Sequence, residues 1–160
     1  AQLAPSHPEK VLLVRRHFAE SHPDQHLRLI AALLESCAYC DRAENHEQIV
    51  RTLAQRQYLN VPADCLRRSF SGIFDCGFDR TERIPDFTVF SRHDANEPSA
   101  DKAAWIINHL LRSGAVPDRS LIHPTRARQH FRVDLFEKAR HLAAPEARPE
   151  SARATAVGVD

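Results

Sequence analysis

Apolar positions cluster most densely between Asp24 and Asp41, in the run DQHLRLIAALLESCAYCD. Leu27, Ile30, Leu34, Cys37 and Ala38 recur at helical spacing and mark one face. Leu29, Leu33 and Ser36 lie beside that stripe, so the pattern predicts a broad apolar face buried on more than one side. Ala31 and Ala32 leave room for close neighbours. Just upstream, Ser21, His22, Pro23 and Asp24 spell S-x-x-D, a capping-box-like start in which Ser21 accepts from a free first-turn N–H. Pro23 is tolerated there because first-turn N–H groups have no helical partner.

The rest of the chain reads as helices with two short strands. Val11 to Val14 (VLLV) predicts a buried strand, and Phe87 to Phe90 (FTVF) a second. Arg15 to Glu20 fits a helical turn carrying Phe18. His46 to Gln57, with Ile49, Val50 and Leu53 on one face, predicts a helix capped by Asn45. Pro62 to Phe70 predicts a short helix. Residues 71–86, with Gly72, Gly77 and Pro85, read as irregular, and RHDANEP (92–98) as a loop. Lys102 to Arg112 predicts a helix capped by Ser99 or Asp101 and ended by Gly114. A last helix runs from Thr125 or Val133 to Leu142. The pattern therefore places an α/β, mostly helical, unit over residues 1–142 and a tail with little to bury, expected to be disordered, over 143–160.

Composition adds bounds. A length of 160 residues fits one domain or part of one. With 22 basic and 21 acidic side chains the net charge is +1, so no basic surface points to nucleic acid. No apolar run approaches the roughly 18 residues that a membrane span needs. The lead-in AQLAPSHPEK has neither the basic nor the apolar region of a signal peptide. The missing initiator methionine suggests a processed chain or one cut from something longer. Four cysteines without scaffold spacing fit a reducing compartment.

Little in the residues alone carries chemistry. Cys37 and Cys40 form C-x-x-C, which could be a redox pair, half a zinc site or two core cysteines. The pair sits at the C-terminal end of its helix, where the dipole opposes a thiolate, and Cys65 and Cys76 are too far apart to complete a zinc site. Core cysteines are the reading these facts favour. His22 and His26 have a metal-capable i, i+4 spacing but no third ligand nearby, so they read as surface polar residues. His93 and Asp94 read as a solvated loop, and Arg67 and Arg68 as a solvated helix face. There is no P-loop, G-x-S-x-G or G-x-G-x-x-G, and no cofactor or catalytic residue is implied. Lys10, at the head of VLLV, either lies on the surface or projects into a cleft to meet an anion as a point charge.

Several blocks together resemble one family. They are P-E-K-V-L (8–12), A-L-L-E-S-C-A-Y-C-D (32–41), E-N-H-E-Q-I-V (44–50), Y-L-N-V-P-A-D-C-L-R-R-S-F-S-G (58–72), the segment from Ala95 to Ile106, and V-D-L-F-E-K-A (133–139). The chain is similar to the C-terminal part of the nitrate- and bicarbonate-binding solute-binding proteins of ABC transporters, a group related to cytoplasmic nitrate sensors. The resemblance implies part of a two-lobed, type II periplasmic binding protein fold that holds a small oxyanion between lobes without catalysis. It implies that Lys10 reaches the anion. The family's other anion contacts come from a first lobe that is absent here, so the isolated chain is expected to bind nitrate poorly. The implied partners are nitrate, nitrite or bicarbonate and the membrane component of an importer. The location is then periplasmic or membrane-peripheral. One alternative is a cytoplasmic nitrate/nitrite sensor that sequesters a regulatory protein; a weaker one is a thiol oxidoreductase using Cys37 and Cys40.

Overall fold

The computed structural model describes residues 10–116, 125 and 129–144. The chain divides into two units, one formed by residues 1–34 and 97–160 and the other by residues 35–96.

The first unit begins with extended chain and helix α1 (Arg16–Ser21). Helix α2 (Pro23–Cys40) starts at the expected proline, and its first two-thirds belong to this unit. Ser21 does not form the predicted capping box: it is the last residue of α1, and its Oγ lies 3.4 Å from Nδ1 of His17. Helix α5 (Ala100–Arg112) is capped as predicted, with Ser99 Oγ accepting from the Lys102 N–H. Helix α6 (Val133–Ala143) takes the later of the two expected starts. The expected tail lies, from residue 145 on, outside the described residues. Ala31, Ala103, Ile107 and Ala139 are buried, one or two each on α2, α5 and α6. A buried alanine means that a neighbouring chain comes close, because the side chain itself reaches only one carbon.

The second unit contains the end of α2, a 3₁₀ turn (Ala43–Asn45), helix α3 (His46–Ala54) and helix α4 (Ala63–Ser71). An antiparallel hairpin of β1 (Ile73–Asp75) and β2 (Thr81–Arg83) follows, with Ile73 opposite Arg83 and Asp75 opposite Thr81. A strap, residues 84–96, closes the unit. Val50 on α3 is the largest side chain in the described core to be fully buried. Helix α3 is three residues shorter than its pattern suggests. Gln55 turns extended, and the N–H groups of Leu59 and Asn60 reach back to the carbonyls of Leu53 and Gln55.

Three expectations about local structure fail for identifiable reasons. VLLV is not a strand: residues 10–15 are irregular, and Leu13 is 87% exposed with no strand beside it among the described residues. FTVF is not a strand either. Its rings pack sideways, Phe87 onto Phe74 at 4.3 Å and Phe90 onto Phe70 at 6.4 Å, and the Phe90 N–H goes to a side chain instead of a ladder. Conversely, the stretch read as irregular holds the hairpin. Its β2 is Thr-Glu-Arg, fully exposed, so no apolar alternation marks it. Helix α2 also buries less than its composition suggests. Leu27, Ile30 and Leu34 are half-buried, but Leu29 and Leu33 are exposed.

Candidate functional site

Lys10 stands in the extended lead-in to α1, exposed, and no described residue bonds or pairs with it. The sequence placed it before a buried strand. It instead precedes three exposed apolar side chains, Val11, Leu12 and Leu13. A lysine ammonium that is not committed to a carboxylate remains available to an external anion.

The most tightly built polar arrangement lies elsewhere, at the end of α2. Asp41 follows the last helical residue, and its carboxylate accepts from three consecutive backbone N–H groups. Phe90 N is 2.9 Å from Oδ1, and Ser91 N and Arg92 N are each 2.7 Å from Oδ2. The Arg92 Nε lies 3.7 Å from the same oxygen, and Asp41's side chain is only 7% exposed. Burial alone would raise the Asp41 carboxyl. The three backbone donors and the guanidinium outweigh it and hold the group below the usual aspartate value. Arg92 also pairs with Asp86 at 2.9 Å. Beyond the clamp, His93 and Asp94 adopt left-handed backbone conformations (φ 56° and 54°), and both are exposed, as the solvated-loop reading expects. The sequence pattern placed Asp41 at the end of the helix and of the block A-L-L-E-S-C-A-Y-C-D, with no sign of its donors.

The clamp forms one wall of a concavity of about 170 Å³ in this unit. Cys40, His46, Ser69, Phe70 and Thr88 complete the lining, together with Pro85, Phe90 and Arg92. The His46 and Phe70 rings, both in that lining, meet at 4.7 Å.

Cys37 and Cys40 are free and half-buried, not fully in the core. Burial raises both thiols; for Cys37 a hydrogen bond with Asn96 pulls the other way, and for Cys40 the neighbouring Cys37 adds to the rise. Thiols held in the protonated form are poor nucleophiles, so the geometry does not favour the redox reading. Asn45, expected to cap α3, instead donates from Nδ2 to the Tyr39 carbonyl at 2.9 Å, an oxygen near the end of α2 that also accepts from the Arg42 N–H at 3.3 Å. Of the histidine pair, His22 is exposed as expected and His26 is not. His26 is buried, with the Phe18 ring edge-on to it at 6.3 Å, and Phe18 also lies 5.5 Å from the His22 ring. Among the described residues no three His, Cys, Asp or Glu side chains gather as metal ligands, and no helix is long and apolar enough to cross a membrane.

Comparison with known proteins gives these features a context. The NMT1-like family model matches residues 1–54. The chain is 36% identical over 88% of its length to the nitrate import ATP-binding protein NrtC of Synechocystis sp. PCC 6803, covering 21% of that protein. It is 28% identical over 91% of its length to the bicarbonate-binding protein CmpA of Synechococcus elongatus PCC 7942, covering 34% of it. Its fold matches the crystal structure of the periplasmic nitrate-binding protein NrtA from Synechocystis PCC 6803 with a TM-score of 0.70 at 21% identity. That match covers 86% of this chain and 36% of that one. The chain thus spans about a third or less of the length of these relatives. Its α/β, largely helical architecture is part of the periplasmic binding protein fold. Over most of its length the chain is thus similar to a segment of the nitrate- and bicarbonate-binding proteins of ABC transporters.

Proposed function

We propose that this chain forms part of a non-catalytic receptor that delivers nitrate, or a similar small oxyanion such as nitrite or bicarbonate, to an ABC importer. The observation that carries the reading is the fold match to a nitrate-binding protein over 86% of the chain. In this reading the protein acts at the membrane periphery or in the periplasm, and its partner is the importer's membrane component. Lys10 supplies an ammonium to the anion. A charge-assisted hydrogen bond is stronger than a neutral one, and an exposed lysine is freed of water only when a second lobe closes over it. Lobe closure then follows from tighter binding of the anion to the closed form.

A second reading has its own support. The identity to the ATP-binding import protein, 36%, exceeds the 28% to the bicarbonate-binding protein. The same anion-binding fold would then act as a segment attached to the importer's ATPase. Without a P-loop in this chain, nucleotide chemistry is no part of either reading. The relatives named are import components, which gives no support to a regulatory sensor.

The test is a thermal-shift titration with nitrate, nitrite and bicarbonate on a protein carrying both lobes, since a ligand of the native state raises the melting temperature. One of the three anions is expected to shift it, and Lys10→Ala to weaken that anion about tenfold or more. No shift with any of them overturns the oxyanion reading. A shift that survives Lys10→Ala unchanged removes Lys10 from the site. The 160-residue chain alone is expected to show no micromolar nitrate binding by calorimetry.

A further inference from the structure

The clamp at Asp41 has the form of an anion receptor. Three successive N–H groups converging on one point make a concavity with positive potential, the arrangement by which backbone nests bind anions. Here the convergence is complete: Phe90, Ser91 and Arg92 all direct their N–H groups at one carboxylate, at 2.7–2.9 Å. The Arg92 guanidinium adds a formal charge at 3.7 Å. The ligand comes from residue 41, far away in sequence and on a different element. All three backbone donors belong to the strap.

We propose that the Phe90–Arg92 backbone and the Arg92 side chain form an oxyanion-binding site in which the Asp41 carboxylate is the resident ligand, and which accepts a small free carboxylate when that side chain is removed. The occupied site fixes the strap. The strap in turn supplies Pro85, Thr88, Phe90 and Arg92 to the 170 Å³ concavity facing His46, Ser69 and Phe70. Filling the site therefore shapes that concavity. The inference does not rest on nitrate capture or on Lys10; it concerns different residues, and either can fail without the other.

The experiment is amide hydrogen exchange on the full chain. In Asp41→Ala the amides of residues 90–92 lose their acceptor and are expected to exchange about tenfold faster or more. Sodium formate, which places a carboxylate in the vacated position, is expected to restore their protection, whereas sodium chloride at the same ionic strength does not. Adding Arg92→Ala to Asp41→Ala is expected to weaken the rescue. Unchanged exchange at residues 90–92 in Asp41→Ala overturns the proposal, as does equal behaviour in formate and chloride. If Asp41→Ala does not fold, Asp41→Asn keeps the shape and one acceptor oxygen. It is expected to exchange faster than wild type at these amides and to gain nothing from formate, because its own side chain fills the space. Wild-type exchange in Asp41→Asn, or a formate response in it, overturns the proposal.

Discussion

The Arg67 guanidinium holds the Glu47 carboxylate with two nitrogens, Nη2 at 2.7 Å and Nε at 2.9 Å. The pair joins α4 to α3 across 20 residues of sequence. Arg51 adds a third contact to the same carboxylate at 3.1 Å, and Asp64 accepts from Arg67 Nη1 at 2.6 Å. The hydrogen bonds from Arg67, then from Arg51, lower Glu47 from 4.5 to about 2. A carboxyl whose folded value is depressed contributes stability that is present above its unfolded value and lost as pH falls through the folded value. The Glu47 contribution is thus complete above about pH 4.5 and fades towards pH 2. All of these groups are exposed, so the effect is small and screened by salt. Glu47→Gln is expected to lower the melting temperature by a few degrees at most at neutral pH and low salt. At ~1 M salt, where charges are screened beyond about 3 Å, the difference is expected to shrink towards zero. A difference that grows with salt would contradict an electrostatic link.

Gly72 predicts a larger effect. It ends α4 at φ 66°, and its carbonyl accepts from the Ile84 N–H at 2.7 Å. A Cβ placed there would lie 2.4 Å from the Ile84 carbonyl oxygen, backbone that cannot swing aside like a side chain. Gly72→Ala combines left-handed strain with that collision and is expected to cost about 2 kcal/mol or more. Chemical denaturation measures this, and a midpoint equal to wild type would refute it.

Val50 tests the core of the same unit. It is 1% exposed, and the surrounding helices are short, so the space left by Val50→Ala has few atoms available to refill it. The expected loss is about 1.5–3 kcal/mol, with the slope of the denaturation curve unchanged. A loss below half a kcal/mol would mean that the site collapses around the smaller side chain.

The four cysteines are expected to sort into two classes. Cys65 and Cys76 are exposed, whereas Cys37 and Cys40 are half-buried with raised pKa. Alkylation followed by mass spectrometry at neutral pH is expected to label Cys65 and Cys76 first. Mild oxidant is expected to leave Cys37 and Cys40 unlinked. A 37–40 disulfide forming readily would revive the oxidoreductase reading.

The legible parts of this fold were those written in local, apolar code. Helix α2 runs Pro23–Cys40 where its pattern predicts Asp24–Asp41, and Ser99 caps α5 as its position suggests. What stayed hidden was set by partners distant in sequence. The aromatic pattern of FTVF reads as a strand until Asp41, 49 to 51 residues earlier, takes the N–H groups of Phe90, Ser91 and Arg92. Asn45 looks like a helix cap until the Tyr39 carbonyl claims it. His26 reads as a surface residue, yet it is buried with Phe18 edge-on beside it. Lys10 gave only a weak local signal, its place at the head of the expected strand VLLV, a strand that does not form; the family resemblance supplied the rest.

The position of Asp41 also has a kinetic side. A negative charge just past a helix C-terminus opposes the helix dipole, so before the strap arrives this residue works against the end of α2. Its compensation comes from a segment some fifty residues later, a contact whose loop must close first. The clamp should therefore be absent from the folding transition state and form on its downhill side. Loss of Asp41 would then leave the refolding rate nearly unchanged and appear as faster unfolding. The strap would be the last part of this unit to settle and the first to come loose.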